Sequence, residues 1–225
     1  MKTLPSSFAR SRRIAGLTLL EILAVLAVCS VLSCLATPAF QSISASRGIS
    51  NGVYEAASLL ELARNEAVTR QTYVWVAFQN GDQNGDKELR MVAASSKDGS
   101  ANSSLANLNF FTKPARIRNV IMTDWSSLNN RTQQMEPSLS SSSLSQNKSN
   151  VTIAVGDLNF ADTTLTFTPN GQVVLEGTPT LDTPYATVVD LSLKQTRGAT
   201  VMTEAESGAV LIQGSTGTVK LIRVK

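Results

Sequence analysis

One acid, Glu21, stands in an otherwise apolar run from Leu17 to Thr37, and that run constrains this chain more than any other feature. Its 21 residues match the roughly 20 that a helix needs to cross a bilayer core. The interior, residues 22–36, is interrupted only by the weakly polar Cys29, Ser30, Ser33 and Cys34. A carboxylate near the start of a membrane helix is unfavourable without a partner, so Glu21 reads as functional. Ahead of it, residues 1–16 carry Lys2, Arg10, Arg12 and Arg13 and no acid. Cations flanking an apolar span stay on the cytoplasmic side, which sends the C-terminal body across the membrane.

The same leader accounts for the net charge of +3. Without its four cations, 16 basic side chains face 17 acidic ones, so the remainder has no global field to steer polyanions. Histidine is absent, which removes His-based triads and the commonest metal ligand. Both cysteines, Cys29 and Cys34, lie in the apolar run. Five residues apart on a helix, they point in different directions with about 7.5 Å of rise between them, beyond disulfide reach.

Pro38 removes one helical hydrogen bond, so a kink or the membrane exit is expected there. Helical spacing continues through Phe40, Ile43, Val53, Ala57, Leu60 and Ala67. Gly48 and Gly52 weaken residues 44–52, whereas 53–70 is the better helix, with Glu61, Arg64 and Glu66 on its wetter side. At Thr72 the period changes. Residues 72–79 and 88–95 read as strands around a turn-rich loop, 80–87. Shorter strands are expected over 109–117, with Pro114 disturbing it, and over 119–125. Residues 126–150 read as a loop, flexible because six serines between 138 and 145 can bury almost nothing. Strand signals return at 151–155, 164–168, 172–175, 187–193, 209–213 and 218–224. Turn chemistry stands at Pro169-Asn170-Gly171 and Ser215-Thr216-Gly217. The expected class is α+β: a leader (1–16), a membrane helix (17–37), its continuation (38–71), and an antiparallel β domain (72–225).

The basic leader, Gly16, Leu17 and Glu21 together resemble the N-terminal signal of type IV prepilins and pseudopilins. The resemblance implies that prepilin peptidase cuts after Gly16 and methylates the new amine of Leu17. Leu17 departs from phenylalanine, the commonest first residue in the family. It implies that Glu21 is an assembly determinant, paired with the N-terminal amine of a neighbouring subunit. Implied partners are the peptidase, other pilin or pseudopilin subunits, an assembly platform in the bacterial inner membrane, and membrane lipid. The implied location is that membrane, single-pass, with the leader cytoplasmic and the body periplasmic or extracellular, and then a filament. The order of leader, Glu21, Pro38, a helix ending in LARNEAVTRQ (62–71), and strands is similar to the GspH/FimT family of minor pseudopilins and minor pilins. So are LTFTPNGQV (165–173) and GSTGTVKL (214–221). QTRG (195–198) and STGTV (215–219) also resemble the Verru_Chthon cassette protein D group.

Rival readings attach to particular residues. Val31-Leu32-Ser33-Cys34 loosely resembles a lipobox, which would start a lipid-anchored protein at Cys34. A secretory signal cut after Ala36 would start one at Thr37. Glu21 inside the apolar core argues against both. Asp82, Asn84, Asp86 and Glu88 alternate like calcium ligands, but Lys87 and Ala93 stand where an EF-hand loop needs glycine and glutamate. Some FimT-like minor pilins bind DNA through basic C-terminal residues, which would fall here to Arg223 and Lys225, with Lys220 on the other face of a strand. No aromatic interleaves with them to stack bases, and a solvated edge is the expectation, as it is for Lys113, Arg116 and Arg118. Nucleic acid is therefore not an expected partner. An enzyme is not expected: no glycine-rich phosphate loop or G-x-S-x-G elbow is present, and Asp157, Asp162, Asp182 and Asp190 are scattered. Nothing favours a Ser-Lys dyad, and no cofactor is implied.

Overall fold

The computed structural model describes residues 19–136, 141–147, 151–161, 163–176, 178–180, 183–202 and 206–223. The side chains of 34–47 and of Arg223 lie outside that description. The chain divides into two compact units, residues 1–42 and 43–225, and helix α1 (Leu19–Arg70) contributes to both.

In the first unit the described side chains, 19–33, are exposed, from Leu19 at 79% down to Ile22 at 44% among the large apolar ones. Leu17 and Thr18, and the side chains of 34–37, fall outside the described residues, so the expected span is described only in part. Among the described residues no helix is long and apolar enough to cross a membrane. Two of its polar groups are satisfied within the helix: Ser30 Oγ donates to the Ala27 carbonyl and Ser33 Oγ to that of Cys29, both at 2.8 Å. Helical backbone continues through Pro38, whose side chain lies outside the described residues.

The second unit is α+β. Its strands are β1 (Val74–Gln83), β2 (Asp86–Ser96), β3 (Leu108–Phe110), β4 (Ala115–Arg118), β5 (Val120–Thr123), β6 (Ser142–Ser143) and β7 (Ile153–Val155). There follow β8 (Leu158–Phe160), β9 (Thr163–Phe167), β10 (Val173–Val174), β11 (Val188–Arg197), β12 (Thr200–Val201), β13 (Ser207–Gln213) and β14 (Val219–Arg223). One sheet runs β10-β9-β1-β2-β3, with β4 also on β2; the other runs β12-β11-β13-β14, with β5 and β6 also on β11. All pairs are antiparallel except β6 on β11.

Helix and sheets share one core. Ile49, Val53, Ala56, Leu60, Ala63 and Ala67 recur every three or four residues and are buried, a stripe facing the sheets. They join Val74, Val76 and Phe78 of the first sheet and Val189, Leu191 and Val210 of the second. The first sheet is buried on its other face too, where Trp75, Ala77 and Val92 meet Ile153 and Phe160 of the β7–β8 hairpin. Helical backbone runs unbroken through 44–52, despite the weakness expected there. A Cβ on Gly52 would stand 3.4 Å from Ile117, so the buried glycine is a close approach of helix to sheet and not a break.

Other expectations change with their causes. Residues 80–87 are not a loop: β1 and β2 pair to Gln83 and Asp86, leaving only Asn84 and Gly85 as the turn. Tertiary partners extend the strands. The Asn80 side chain donates to and accepts from the Met122 backbone, at 2.8 and 2.7 Å, which ties the first sheet to the second. The 109–117 strand is two, β3 and β4, as Pro114 had suggested. Asn119, at φ 59°, turns the chain from β4 in one sheet into β5 in the other. Arg64 is half-buried, and its Nε donates to the Thr216 carbonyl at 2.6 Å. That contact gathers the two predicted turns, since Cβ atoms on Gly171 and Gly217 would meet Val68 and Arg64 of the helix.

Candidate functional site

Gly16 and Leu17, the proposed cleavage pair, lie outside the described residues. Glu21 is the acid of the first turn of α1 and is exposed, among exposed leucines and valines. An acid is favoured at that end by the helix dipole. The carboxylate and the exposed apolar side chains thus occupy one stretch of helix.

The Ser-rich segment departs most from expectation. Its described part is ordered by contacts with the outer face of the second sheet. On β11, Val189, Leu191 and Leu193 enter the core, so Asp190, Ser192, Lys194 and Thr196 point the other way, yet they are buried. Polar groups on that face need polar cover, and residues 125–136 and 141–147 supply most of it. Asp190, 0% exposed, accepts from Ser141 Oγ at 2.7 Å, Ser143 Oγ at 3.2 Å and Ser192 Oγ at 2.8 Å. Leu144 is fully buried, and its backbone N–H donates to the Asp190 carbonyl at 2.9 Å. Nearby, Ser145 donates to Asp124, and Lys194 Nζ donates to the Ser127 carbonyl at 2.9 Å. Thr132 and Ser207 share a hydrogen bond of 2.9 Å, with Asn129 capping the short helix Asn130–Gln134. The signal that could have found this is the alternation D-x-S-x-K-x-T in a strand whose other residues from 188 to 193 are apolar. Serines elsewhere had to answer it.

These groups are consumed by packing, except the Thr196 hydroxyl, which is buried without a hydrogen-bond partner among the described residues. Lys194 points to a carbonyl rather than to a serine hydroxyl, so the dyad that sequence left open is not assembled there. Asp162 and Asp182 lie outside the described residues, and Asp157 is exposed in the β7–β8 turn. The calcium-like residues do not converge: Asp82 is paired with Lys87, and Glu88 with Arg90. Lys220 pairs with Glu136, while Lys225 and the Arg223 side chain are outside the described residues. Lys113, Arg116 and Arg118 are exposed. A polar cavity of about 460 Å³ lies among Arg70, Thr72, Ser96, Lys97, Asp98 and Asn109. Its charges are engaged too: Arg70 with Glu66 at 2.7 Å, and Lys97 with the Ala106 carbonyl at 2.8 Å. Hydrogen bonds from Ser100, then from Ser96 and Asn107, hold the Asp98 carboxyl well below the usual carboxylate range.

Fold and site together define a class: a long helix carrying an antiparallel β domain, with polar groups spent on holding the domain together. The family profile described as type II transport protein GspH matches residues 54–205, about two thirds of the chain. This chain belongs to the GspH family. It is a GspH/FimT-like minor pseudopilin, a structural protein of the cell envelope rather than an enzyme, and its kind associates with other pseudopilin subunits. The match does not separate out the cassette protein D group. No curated protein and no solved structure matches the chain.

Proposed function

We propose that this chain is a minor subunit of a type II secretion pseudopilus or a related type IV pilus-like filament, made as a prepilin and cut after Gly16. Leu17 becomes the N-methylated first residue. Residues 17–37 hold the subunit in the bacterial inner membrane, with the leader cytoplasmic, until an assembly platform extracts it. In the filament, the exposed apolar side chains of 19–33 bury against neighbouring helices, and the β domain is displayed outside. The observation that carries this reading is Glu21, one acid in the first turn of a helix whose described neighbours are exposed and apolar. In hydrocarbon a carboxylate needs a cation, and the amine of a second subunit supplies one.

Intact-mass analysis of the membrane-extracted protein tests it. The expected species begins at N-methylated Leu17. A chain beginning at diacylated Cys34, or at Thr37, would overturn the pilin mechanism in favour of a lipid-anchored or secreted protein.

A further inference from the structure

Four asparagines in this chain precede glycine: Asn51, Asn80, Asn84 and Asn170. Such a pair is open to an internal reaction because glycine has no Cβ to obstruct its own nitrogen. That nitrogen attacks the asparagine Cγ, an N–Cγ bond forms, and the Cγ–Nδ2 bond breaks. Nδ2 leaves as ammonia, carrying the proton that the glycine nitrogen gives up. Water then opens the succinimide at either carbonyl, leaving aspartate or isoaspartate. Nothing is oxidised or reduced. The reaction requires the backbone to bring nitrogen and Cγ together, so local structure decides which pair reacts.

Three of the four are held. Asn51 and Gly52 lie within α1, and Gly52 is buried against Ile117 and Val120. Asn80 and Gly81 are inside β1, and both ends of the Asn80 amide are tied to the Met122 backbone. Gly171 is buried beneath Val68, and its N–H donates to the Thr168 carbonyl at 2.8 Å. Asn84 and Gly85 differ. They form the two-residue tip of the β1–β2 hairpin, at φ 56° and 86°, and both are exposed. No atom lies within 4 Å of where a Gly85 Cβ would be. One hydrogen bond restrains the attacking nitrogen: Gly85 N–H donates to Asp82 Oδ1 at 2.9 Å, while Lys87 Nζ holds Oδ2 at 3.1 Å.

We propose that Asn84–Gly85 is a site of spontaneous deamidation, with Asp82 as the latch that slows it. The product adds an acid between Asp82 and Asp86, and its isoaspartyl form lengthens the backbone inside a turn that has no slack.

The test incubates the full-length chain in detergent at mildly alkaline pH, then quantifies the amide-to-acid mass gain at each asparagine by peptide mapping. A parallel sample in denaturant calibrates the four sites with structure removed. In the native sample Asn84 is expected to convert at least about tenfold faster than the other three, a factor equivalent to one ~1.4 kcal/mol step in barrier. The four rates should approach one another in denaturant. Asp82→Ala should accelerate Asn84 and leave the rest unchanged. Equal native rates, or Asn170 leading, would overturn the site; an unchanged or slower Asn84 in Asp82→Ala would overturn the latch.

Discussion

Asp190 shows how much a single side chain can organise. A buried carboxyl is tolerable when donors converge on it, and three serine hydroxyls do so here. Two come from the segment that covers the sheet, so the acid is also an anchor for that segment. Asp190→Ala removes the common acceptor and leaves buried hydroxyls unmatched. The expected loss is about 1–3 kcal/mol of unfolding free energy, the cost of leaving buried polar groups unsatisfied. Asp190→Asn, which keeps the size and one acceptor oxygen, should lose less. Urea unfolding followed by the fluorescence of buried Trp75 and half-buried Trp125 measures both. Equal stability in Asp190→Ala and the parent chain would show that the serines do not depend on it.

Among the elements, the end of α1 depends on two turns that come from different sheets. Arg64 reaches the carbonyl of Thr216, and Gly217, at φ 66°, faces the Gly171 carbonyl so closely that a Cβ would overlap it. Gly217→Ala therefore combines a left-handed backbone with a steric overlap, and should destabilise by roughly 1–3 kcal/mol. The urea midpoint reads this, and an unchanged midpoint would mean the turn can move away from the helix freely. Both turns were legible beforehand, because glycine after Asn or Thr between apolar runs has few other uses. The β1–β2 hairpin was legible as well, but its length was not, since Asn80 and Lys87 look like loop residues until Met122 and Asp82 are seen beside them. The Ser-rich segment misled for a similar reason. Serine carries little apolar area, and the seating of buried Leu144 between half-buried serines rests on Asp190, a partner whose orientation follows from sheet register and not from nearby sequence. Glu21 needed no register, because one acid in an apolar run is conspicuous wherever the chain goes.

For the whole molecule, the proposed function requires a subunit to pass from membrane to filament, and Glu21 bears on that step directly. In the proposed mechanism prepilin peptidase recognises the bond Gly16–Leu17, whereas Glu21 lies four residues beyond Leu17. Leu17 and Glu21 are spaced i, i+4 in sequence, a spacing that a continuous helix would place along one side. Within one chain the helix dipole already favours the acid, at under about 1 kcal/mol at an exposed site. In the proposed mechanism the larger gain arises when a second subunit's amine enters the apolar bundle. There a matched pair avoids two unpaired charges, and removing one partner of a buried pair typically costs about 3–5 kcal/mol. Glu21→Ala is therefore expected to leave processing nearly unchanged, seen as the mature band on an immunoblot. Co-purification with the filament's major subunit should fall well over tenfold, since each ~1.4 kcal/mol is a factor of ten in an equilibrium. Glu21→Gln, which keeps shape and loses charge, should fail alongside it, because the amine needs a counter-charge and not a filler. Processed Glu21→Ala protein that entered filaments normally would remove charge pairing from the mechanism and leave apolar helix packing alone to drive assembly.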